Sequence, residues 1–190
     1  MMQRVAEPEL MDGEAQARAY AEADFDAPHQ RFMELFHERF PGLEPQGAVL
    51  DLGCGPGDIT RRFARAFSSC RVHGVDGAAA MLRHAEARQP GSGLEERIRY
   101  IHGYLPGATL PLPRYATVIS NSLLHHLADP LVLWQSIRAH AAPGAAVFVM
   151  DLMRPDSRST AAAMVEQYAA GEPEVLRHDF FHSLLAAYTP

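Results

Sequence analysis

The sequence contains no lysine, and all 17 of its basic residues are arginines. Lysine forms Schiff bases with carbonyl substrates and with pyridoxal phosphate, and it grips the phosphates in P-loop nucleotidases. The absence of lysine therefore excludes these three kinds of chemistry.

Cysteine is also scarce, since Cys54 and Cys70 are the only two in the chain. Two cysteines form no disulfide framework, and no Cys/His cluster with the spacing of a zinc site accompanies them. No apolar run reaches the roughly 18 residues that suggest a membrane span, and the polar start MMQRVAEPELMDGEA lacks the pattern of a signal peptide. We expect a cytoplasmic protein with reduced thiols and no membrane partner.

Positive charge is in deficit, because the formal net charge is −6 at pH 7. Nucleic acids and anionic membranes are bound by clustered positive charge. We therefore expect no nucleic-acid partner. Arg61, Arg62 and Arg65 form the densest basic group, and the sequence predicts that they lie on an exposed helix face.

Short apolar runs alternate with segments of helical periodicity along most of the chain. Predicted strands cover 48–51, 71–76, 99–102, 116–120 and 146–151, and predicted helices between them cover 58–67, 78–88 and 130–142. Apolar residues at helical spacing also mark 15–40 as a helical region. The pattern predicts an α/β fold with a Rossmann-like, doubly wound and mostly parallel sheet and an N-terminal helical extension. We divide the chain into an N-terminal helical extension or lid (1–45) and a C-terminally shortened Rossmann-like domain (46–190).

Glycines and carboxylates follow the first two predicted strands, where open parallel sheets bind their ligands. Gly53, Gly55 and Gly57 come directly after the first strand, and Asp76 ends the second. Glycines let the backbone turn sharply and approach a ligand, and a carboxylate at this distance can accept hydrogen bonds from both ribose hydroxyls. The sequence therefore predicts a nucleoside-containing ligand.

The details of the loop distinguish this ligand from a nicotinamide dinucleotide. Counted from Gly53, the last glycine of the G-x-G-x-x-G fingerprint is replaced by Asp58. Asp51 and Asp58 bracket the loop, and their negative charges would repel a pyrophosphate but suit a ligand with ammonium and sulfonium groups. A nicotinamide oxidoreductase remains a minor alternative, weakened further because short-chain dehydrogenases use a Tyr/Lys pair.

The segments AVLDLGCGPGDIT (48–60) and VISNSLLHHLADP (118–130) resemble the first-strand and fourth-strand motifs of class I S-adenosylmethionine (SAM) methyltransferases, in their small-molecule, type 11/12-like branch. The resemblance covers roughly residues 20–153. It implies a SAM-dependent enzyme that methylates a small-molecule acceptor. The alternative is a SAM-binding regulatory or partner protein without transfer activity.

The resemblance also implies which residues bind the cofactor. Residues 51–57 are expected at the methionine end, Asp76 at the ribose, and Asn121 and Ser122 near the methionine amino group and the methyl donor. The full predicted set is Tyr20, Asp51, Gly53, Cys54, Gly55, Gly57, Asp76, Gly77, Ala78, Gly103, Tyr104, Asn121 and Ser122. Where the family commonly has an aspartate that binds adenine, this chain has Tyr104, which either stacks on the purine or is a partly buried surface aromatic.

Histidines provide the candidate catalytic groups. His125 and His126 follow the fourth strand, so that either one is a general base for the acceptor or both cap a helix and line the pocket. His178 and His182 are four residues apart but have no third ligand nearby in the sequence, and we expect no metal.

The last 39 residues lack the two strands with which these methyltransferases usually end. Helical patterns over 157–167 and 179–188 leave no room for that antiparallel hairpin. We expect a shortened form of the domain, in which the strand 146–151 is an uncovered edge. Such an edge can pair with another chain, so we expect a homodimer through it, protection of it by the C-terminal helices, or low stability and weak activity.

Overall fold

The computed structural model describes residues 2–7 and 10–189. Its elements, in chain order, are α1 (Glu14–Glu22), α2 (Asp26–Arg39), β1 (Gly47–Leu52), α3 (Asp58–Ala66), β2 (Cys70–Asp76), α4 (Ala79–Ala87), β3 (Ile98–His102), β4 (Tyr115–Asn121), a short 3₁₀ turn (Leu124–His126), α5 (Leu131–His140), β5 (Ala141–Met150), α6 (Arg158–Tyr168) and α7 (Glu174–Ala186). In the described ranges, no helix is long and apolar enough to cross a membrane.

The five strands form one sheet in the order β3-β2-β1-β4-β5, and every neighbouring pair is parallel. The chain leaves β1 toward β2 and returns to the other side of β1 as β4. The point at which the strand order reverses lies between β1 and β4, and ligands bind beyond the carboxyl ends of strands at such a point. The predicted Rossmann-like α/β class is confirmed.

Apolar residues cover both faces of the sheet. On one face, Phe32 and Phe36 of α2 and Phe63 of α3 pack with Val49 and Phe148 of the sheet. On the other face, a second cluster joins alternate strand residues to α5 and the chain that precedes β4. The predicted helical region 15–40 is two helices, and α2 belongs to the main hydrophobic core. The division at residue 45 stays a prediction.

The N-terminal segment (residues 2–7 and 10–13) is attached far from its place in the sequence. The Arg4 guanidinium donates hydrogen bonds to the carbonyl oxygens of Ala186 (2.6 Å), His125 (2.9 Å) and Leu127 (3.0 Å). It also lies 4.2 Å from the centre of the Tyr188 ring. These contacts hold the segment between α7 and the loop after β4.

The C-terminal part contains both predicted helices, although α7 begins at Glu174 rather than at residue 179. The two helices, α6 and α7, pair through a small apolar cluster. Among the described residues no strand follows β5, which is an edge strand of the sheet. β5 begins at Ala141, five residues before the predicted start of this strand. Its register with β4 is irregular between Tyr115 and Thr117, and the regular pairing starts at Ala146. The predicted helix 130–142 ends earlier, at His140.

One prediction about charge is wrong. Arg61 is buried rather than exposed, while Arg65 alone of the three arginines is fully exposed. The Arg61 guanidinium donates a hydrogen bond to the carbonyl oxygen of Pro56 at 2.9 Å and lies 3.7 Å from Asp58. The glycine loop therefore uses Arg61 as an internal support, because its turning backbone leaves a carbonyl that needs a donor.

Candidate functional site

A pocket opens at the carboxyl ends of β1, β2 and β4 and contains about 700 Å³ of space that protein atoms do not fill, part of it open to solvent. The pocket is lined by Leu10, Met11, Tyr20, His29, Asp51, Gly53, Cys54, Gly55, Pro56, Asp58, Ile59, Asp76, Ala78, Met81, Asn121, Ser122, Leu123 and His126.

The three loop glycines have positive φ angles, of 72° at Gly53, 53° at Gly55 and 76° at Gly57. A Cβ atom at Gly53 would lie 2.8 Å from Leu123, and one at Gly57 would lie 2.2 Å from the hydroxyl of Tyr100. A Cβ at Gly55 would meet nothing within 4 Å. Packing therefore requires Gly53 and Gly57, whereas Gly55 borders the space that a ligand can enter.

Asp76 ties the glycine loop to the end of β2. One oxygen of its carboxylate accepts a hydrogen bond from the Gly55 amide and the other from the Ala78 amide, each at 2.8 Å. Burial raises the pKa of Asp76, although these two hydrogen bonds oppose the shift. The carboxylate keeps further lone pairs for a ligand, and it lines the pocket where the sequence predicted ribose recognition.

Asp58 lies at the start of α3, and its side chain contacts residues of both α2 and α3. Its Oδ2 lies 2.6 Å from Nδ1 of His29 and accepts a hydrogen bond from Nε of Arg62 at 2.7 Å. Burial disfavours the charged form, but the hydrogen bonds from His29 and Arg62 outweigh it and lower the pKa of Asp58 below its usual value. Asp58 is thus a fixed negative charge on the pocket wall.

Asn121 and Ser122 end β4 at the point where the strand order reverses. The Oδ1 atom of Asn121 is buried and has no hydrogen-bond partner among the described residues. Ser122 has a φ angle of 54°, in the left-handed region that non-glycine residues rarely adopt. A buried, unpaired acceptor is costly unless a ligand donates to it. A donor group on a bound ligand would satisfy this atom.

The two candidate bases have different positions. His126 lines the pocket, whereas the His125 side chain is only 3% exposed and lies outside the lining residues. Nδ1 of His125 lies 2.5 Å from Oδ1 of Asp151, whose Oδ2 accepts a hydrogen bond from the Leu124 amide at 2.6 Å. This arrangement supports the interpretation of His125 as a buried structural residue and leaves His126 as the candidate that can reach an acceptor.

Most of the predicted cofactor residues come together at the pocket, but four of them do not line it: Gly57, Gly77, Gly103 and Tyr104. Tyr104 is 55% exposed, and its ring lies over Gly77, where a Cβ atom would be 3.1 Å from the ring. A side chain at Gly77 would therefore have to displace the exposed side chains of Tyr104 and Leu10. Contact of these residues with a purine stays a prediction.

The sequence predicted a lid over residues 1–45 with Tyr20 at the cofactor, but it did not identify the other N-terminal residues that line the pocket. Leu10 and Met11 line the pocket beside Tyr20, and Asp12 accepts a hydrogen bond from the Ala80 amide at 2.9 Å. His29 was missed as well, although it shares the buried face of α2 with Phe32 and Phe36 and could have been found by helical spacing. Burial raises the pKa of Tyr20 to about 12, so its hydroxyl stays protonated.

Curated relatives and solved structures agree on the type of domain. An uncharacterized methyltransferase of Mycobacterium tuberculosis is 29% identical over 142 residues, which are 75% of this chain and 69% of the relative. A trans-aconitate 2-methyltransferase of Variovorax paradoxus is 33% identical over 129 residues, which are 67% of this chain but 46% of the relative. The chain thus spans about half the length of the trans-aconitate enzymes that it matches.

The fold is shared with solved structures at low sequence identity. The plantazolicin methyltransferase BpumL, in complex with a desmethyl substrate analogue and S-adenosylhomocysteine (SAH), superposes with a TM-score of 0.67 at 14% identity, covering 92% of this chain and 65% of that one. The [4+2]-cyclase SpnF superposes with a TM-score of 0.61 at 20% identity, covering 72% and 50%.

Residues 49–144, which include the glycine loop and the end of β4, match the family described as the methyltransferase domain. Together with the strand order and the pocket at the point where that order reverses, this match shows that the chain belongs to the class I SAM-dependent methyltransferases.

Proposed function

We propose that the pocket binds SAM along the glycine loop and presents its methyl group to a small-molecule acceptor. The observation that carries this proposal is the unpaired, buried Oδ1 of Asn121 at the end of β4. The ammonium group of SAM would donate to this oxygen, and Asp58 supplies negative charge on the same pocket wall. Asp76 would accept hydrogen bonds from the ribose hydroxyls, because a carboxylate in this position, at the end of β2 and beside the loop that follows β1, is suited to bind a ribose.

The pocket residues act mainly by position in this proposal. SAM supplies a methyl group on a positively charged sulfur that is already a good leaving group, so alignment and exclusion of water account for much of the rate. Ser122 and Leu123 follow Asn121 along the wall, while Leu10 and Met11 close the other side. His126 would accept a proton only from an acceptor that must lose one early.

The charge of the pocket favours neutral or cationic acceptors. Its described lining contains three carboxylates, at Asp51, Asp58 and Asp76, and no arginine. A tricarboxylate such as trans-aconitate, on which several relatives act by name, would find no arginine in this lining to pair with its carboxylates. We therefore propose amine, phenol, thiol or alcohol acceptors rather than polycarboxylates.

The test is transfer of label from methyl-labelled SAM to a panel of small acceptors and to a metabolite extract. We expect labelled product and release of SAH with neutral or cationic acceptors, and none with trans-aconitate. Labelling of trans-aconitate alone would refute the proposed acceptor class. Tight SAM binding without label in any product would instead support the regulatory protein considered from the sequence, which the comparisons do not favour.

We further propose that two copies pair through the edge of β5, in keeping with the edge predicted from the sequence. The strand is rich in small and apolar residues and pairs with β4 on one side. Sedimentation velocity across a wide concentration range should show a dimer in the wild type and a monomer in Ala145→Lys, because a lysine on an edge strand prevents edge pairing. A monomeric wild type, or a dimer that persists in the variant, would contradict pairing through the edge of β5.

Cytoplasmic location of the protein stays a prediction.

A further inference from the structure

Two adjacent histidines meet a glutamate that is more than a hundred residues away in the sequence, and one of the histidines, His126, lines the pocket. Glu7 belongs to the N-terminal segment, and His125 and His126 belong to the 3₁₀ turn after β4. One potential donor atom from each residue lies within 4.8 Å of the others. The side chains are buried, with exposures of 9% for Glu7, 3% for His125 and 13% for His126.

The distances within this cluster match a metal site. Oε1 of Glu7 lies 3.2 Å from Nδ1 of His126 and 3.6 Å from Nε2 of His125. In a tetrahedral zinc site with bonds near 2.0 Å, neighbouring donor atoms are about 3.3 Å apart. Two edges of such a tetrahedron are therefore already close to their required lengths.

The orientation of His125 provides a second, independent argument. Its Nδ1 lies 2.5 Å from Asp151, and this contact directs the opposite ring nitrogen, Nε2, toward Glu7. Histidine ligands of metals are commonly held in this way by a carboxylate on the nitrogen that does not bind the metal. Asp151 is itself fixed by the amides of Leu124 and Leu152, so the ring has a rigid support.

We propose that Glu7, His125 and His126 form a site for a divalent cation of the Zn²⁺ class. Imidazole nitrogens with one carboxylate oxygen are a donor set that zinc accepts, and a fourth position is left for water. In the cation-bound form Nδ1 of His126 holds the cation and the other ring nitrogen carries the proton, so His126 then does not serve as a general base. The cation links the N-terminal segment to the loop after β4. Since Leu10 and Met11 of that segment line the pocket, the cation stabilises one wall of the cofactor site.

Sequence spacing gave no indication of this site. His125 and His126 are adjacent, and their carboxylate partner lies near the other end of the sequence. The pair His178 and His182 has a spacing that is more typical of metal ligands on a helix. The ring centres of this pair are 4.3 Å apart, the same distance as between those of His125 and His126. This exposed pair is a matched control, because any binding by histidines at the surface should occur there too.

The experiment is calorimetric titration of the chelator-treated chain with ZnCl₂, without SAM or acceptor, so that its outcome is independent of methyl transfer. We expect one Zn²⁺ per chain, at least about 10-fold weaker binding in Glu7→Gln and His126→Gln, and a similar loss in Asp151→Asn. Zn²⁺ should raise the Tm of the wild type and not that of Glu7→Gln. The double variant His178→Gln/His182→Gln should bind as the wild type does.

Cobalt provides a readout of coordination. Co²⁺ added to the wild type should produce a visible absorption band that is absent in Glu7→Gln. Equal Zn²⁺ affinity in wild type and Glu7→Gln, or loss of binding in the His178/His182 double variant, would overturn the proposal. If His126→Gln does not fold, the result for Glu7→Gln alone tests whether these residues bind the cation. Glu7 lies in the N-terminal segment, outside the helices and strands.

Discussion

The hydroxyl of Thr60 donates a hydrogen bond of 2.6 Å to Oδ2 of Asp51, across the turn between β1 and α3. Both residues are buried, with exposures of 0% and 1%. Burial raises the pKa of Asp51 from 3.8 to about 7, while the Thr60 hydroxyl opposes the shift. The carboxyl at the base of the pocket therefore changes charge near neutral pH, unlike the permanently charged Asp58.

Asp51→Asn should remove a pH-dependent loss of stability. Between pH 4 and 7 the unfolded chain releases the Asp51 proton and the folded chain retains it, so the free energy of unfolding falls as pH rises. The full shift corresponds to about 4 kcal/mol as an upper bound. Urea unfolding at a series of pH values should show a shallower decline in Asp51→Asn than in the wild type.

The control for that experiment is Asp156→Asn, which removes one negative charge at an exposed position. It should follow the wild-type curve. Parallel curves for the wild type and Asp51→Asn would mean that Asp51 is ionised in the folded chain across this pH range.

SAM and SAH should raise the Tm, and NAD should not. A ligand stabilises only if it prefers the native state, and at a hundredfold excess over its Kd the gain is about 2.7 kcal/mol. Differential scanning fluorimetry with the three ligands at equal concentration provides the measurement. A shift with NAD alone would contradict the interpretation of the glycine loop.

Asp76→Ala should weaken SAM binding by about 1.5 to 3 kcal/mol, the range for hydrogen bonds to a charged group. The variant also frees the amides of Gly55 and Ala78. Asp129→Ala is a suitable control, because the Asp129 carboxylate likewise accepts a hydrogen bond from an amide, that of Leu131, but lies away from the pocket lining. Calorimetry should find normal affinity in the control, and equal affinity in both variants would exclude Asp76 from ribose recognition.

The sequence predicted the sheet well because each strand is a short apolar run that ends at glycine, aspartate or asparagine. Such local patterns determine strands, and strand ends determine where a parallel sheet binds its ligand. The burial of Arg61 was not predictable from charge clustering, because its partner is the carbonyl of Pro56, exposed by the turn of the glycine loop.

The position of the N-terminal segment, which brings Leu10 and Met11 to the pocket, was also not predictable, but for a different reason. Arg4 and Ala186 are 182 positions apart, and the contact depends on two carbonyl oxygens at the end of α7 and the loop after β4. No periodicity in residues 2–7 encodes such a partner. The same holds for Glu7, whose histidines become neighbours only when that segment is in place.

The role of the glycine loop in cofactor binding is best tested by comparing two glycines that both have positive φ angles. Gly55 and Gly91 have φ angles of 53° and 76°, and a Cβ atom at either would meet nothing within 4 Å. Valine at such an angle costs about 1 to 3 kcal/mol of stability, so Gly55→Val and Gly91→Val should both lower the free energy of unfolding in urea.

Cofactor binding should separate the two variants. Gly91 is exposed in the loop between α4 and β3, while Gly55 lines the pocket beside Asp76. A valine side chain at Gly55 occupies the space where backbone and ligand must approach each other. SAM affinity in calorimetry should therefore be lost in Gly55→Val and retained in Gly91→Val. A folded Gly55→Val chain that binds SAM as the wild type does would show that the open space at Gly55 is not the cofactor site.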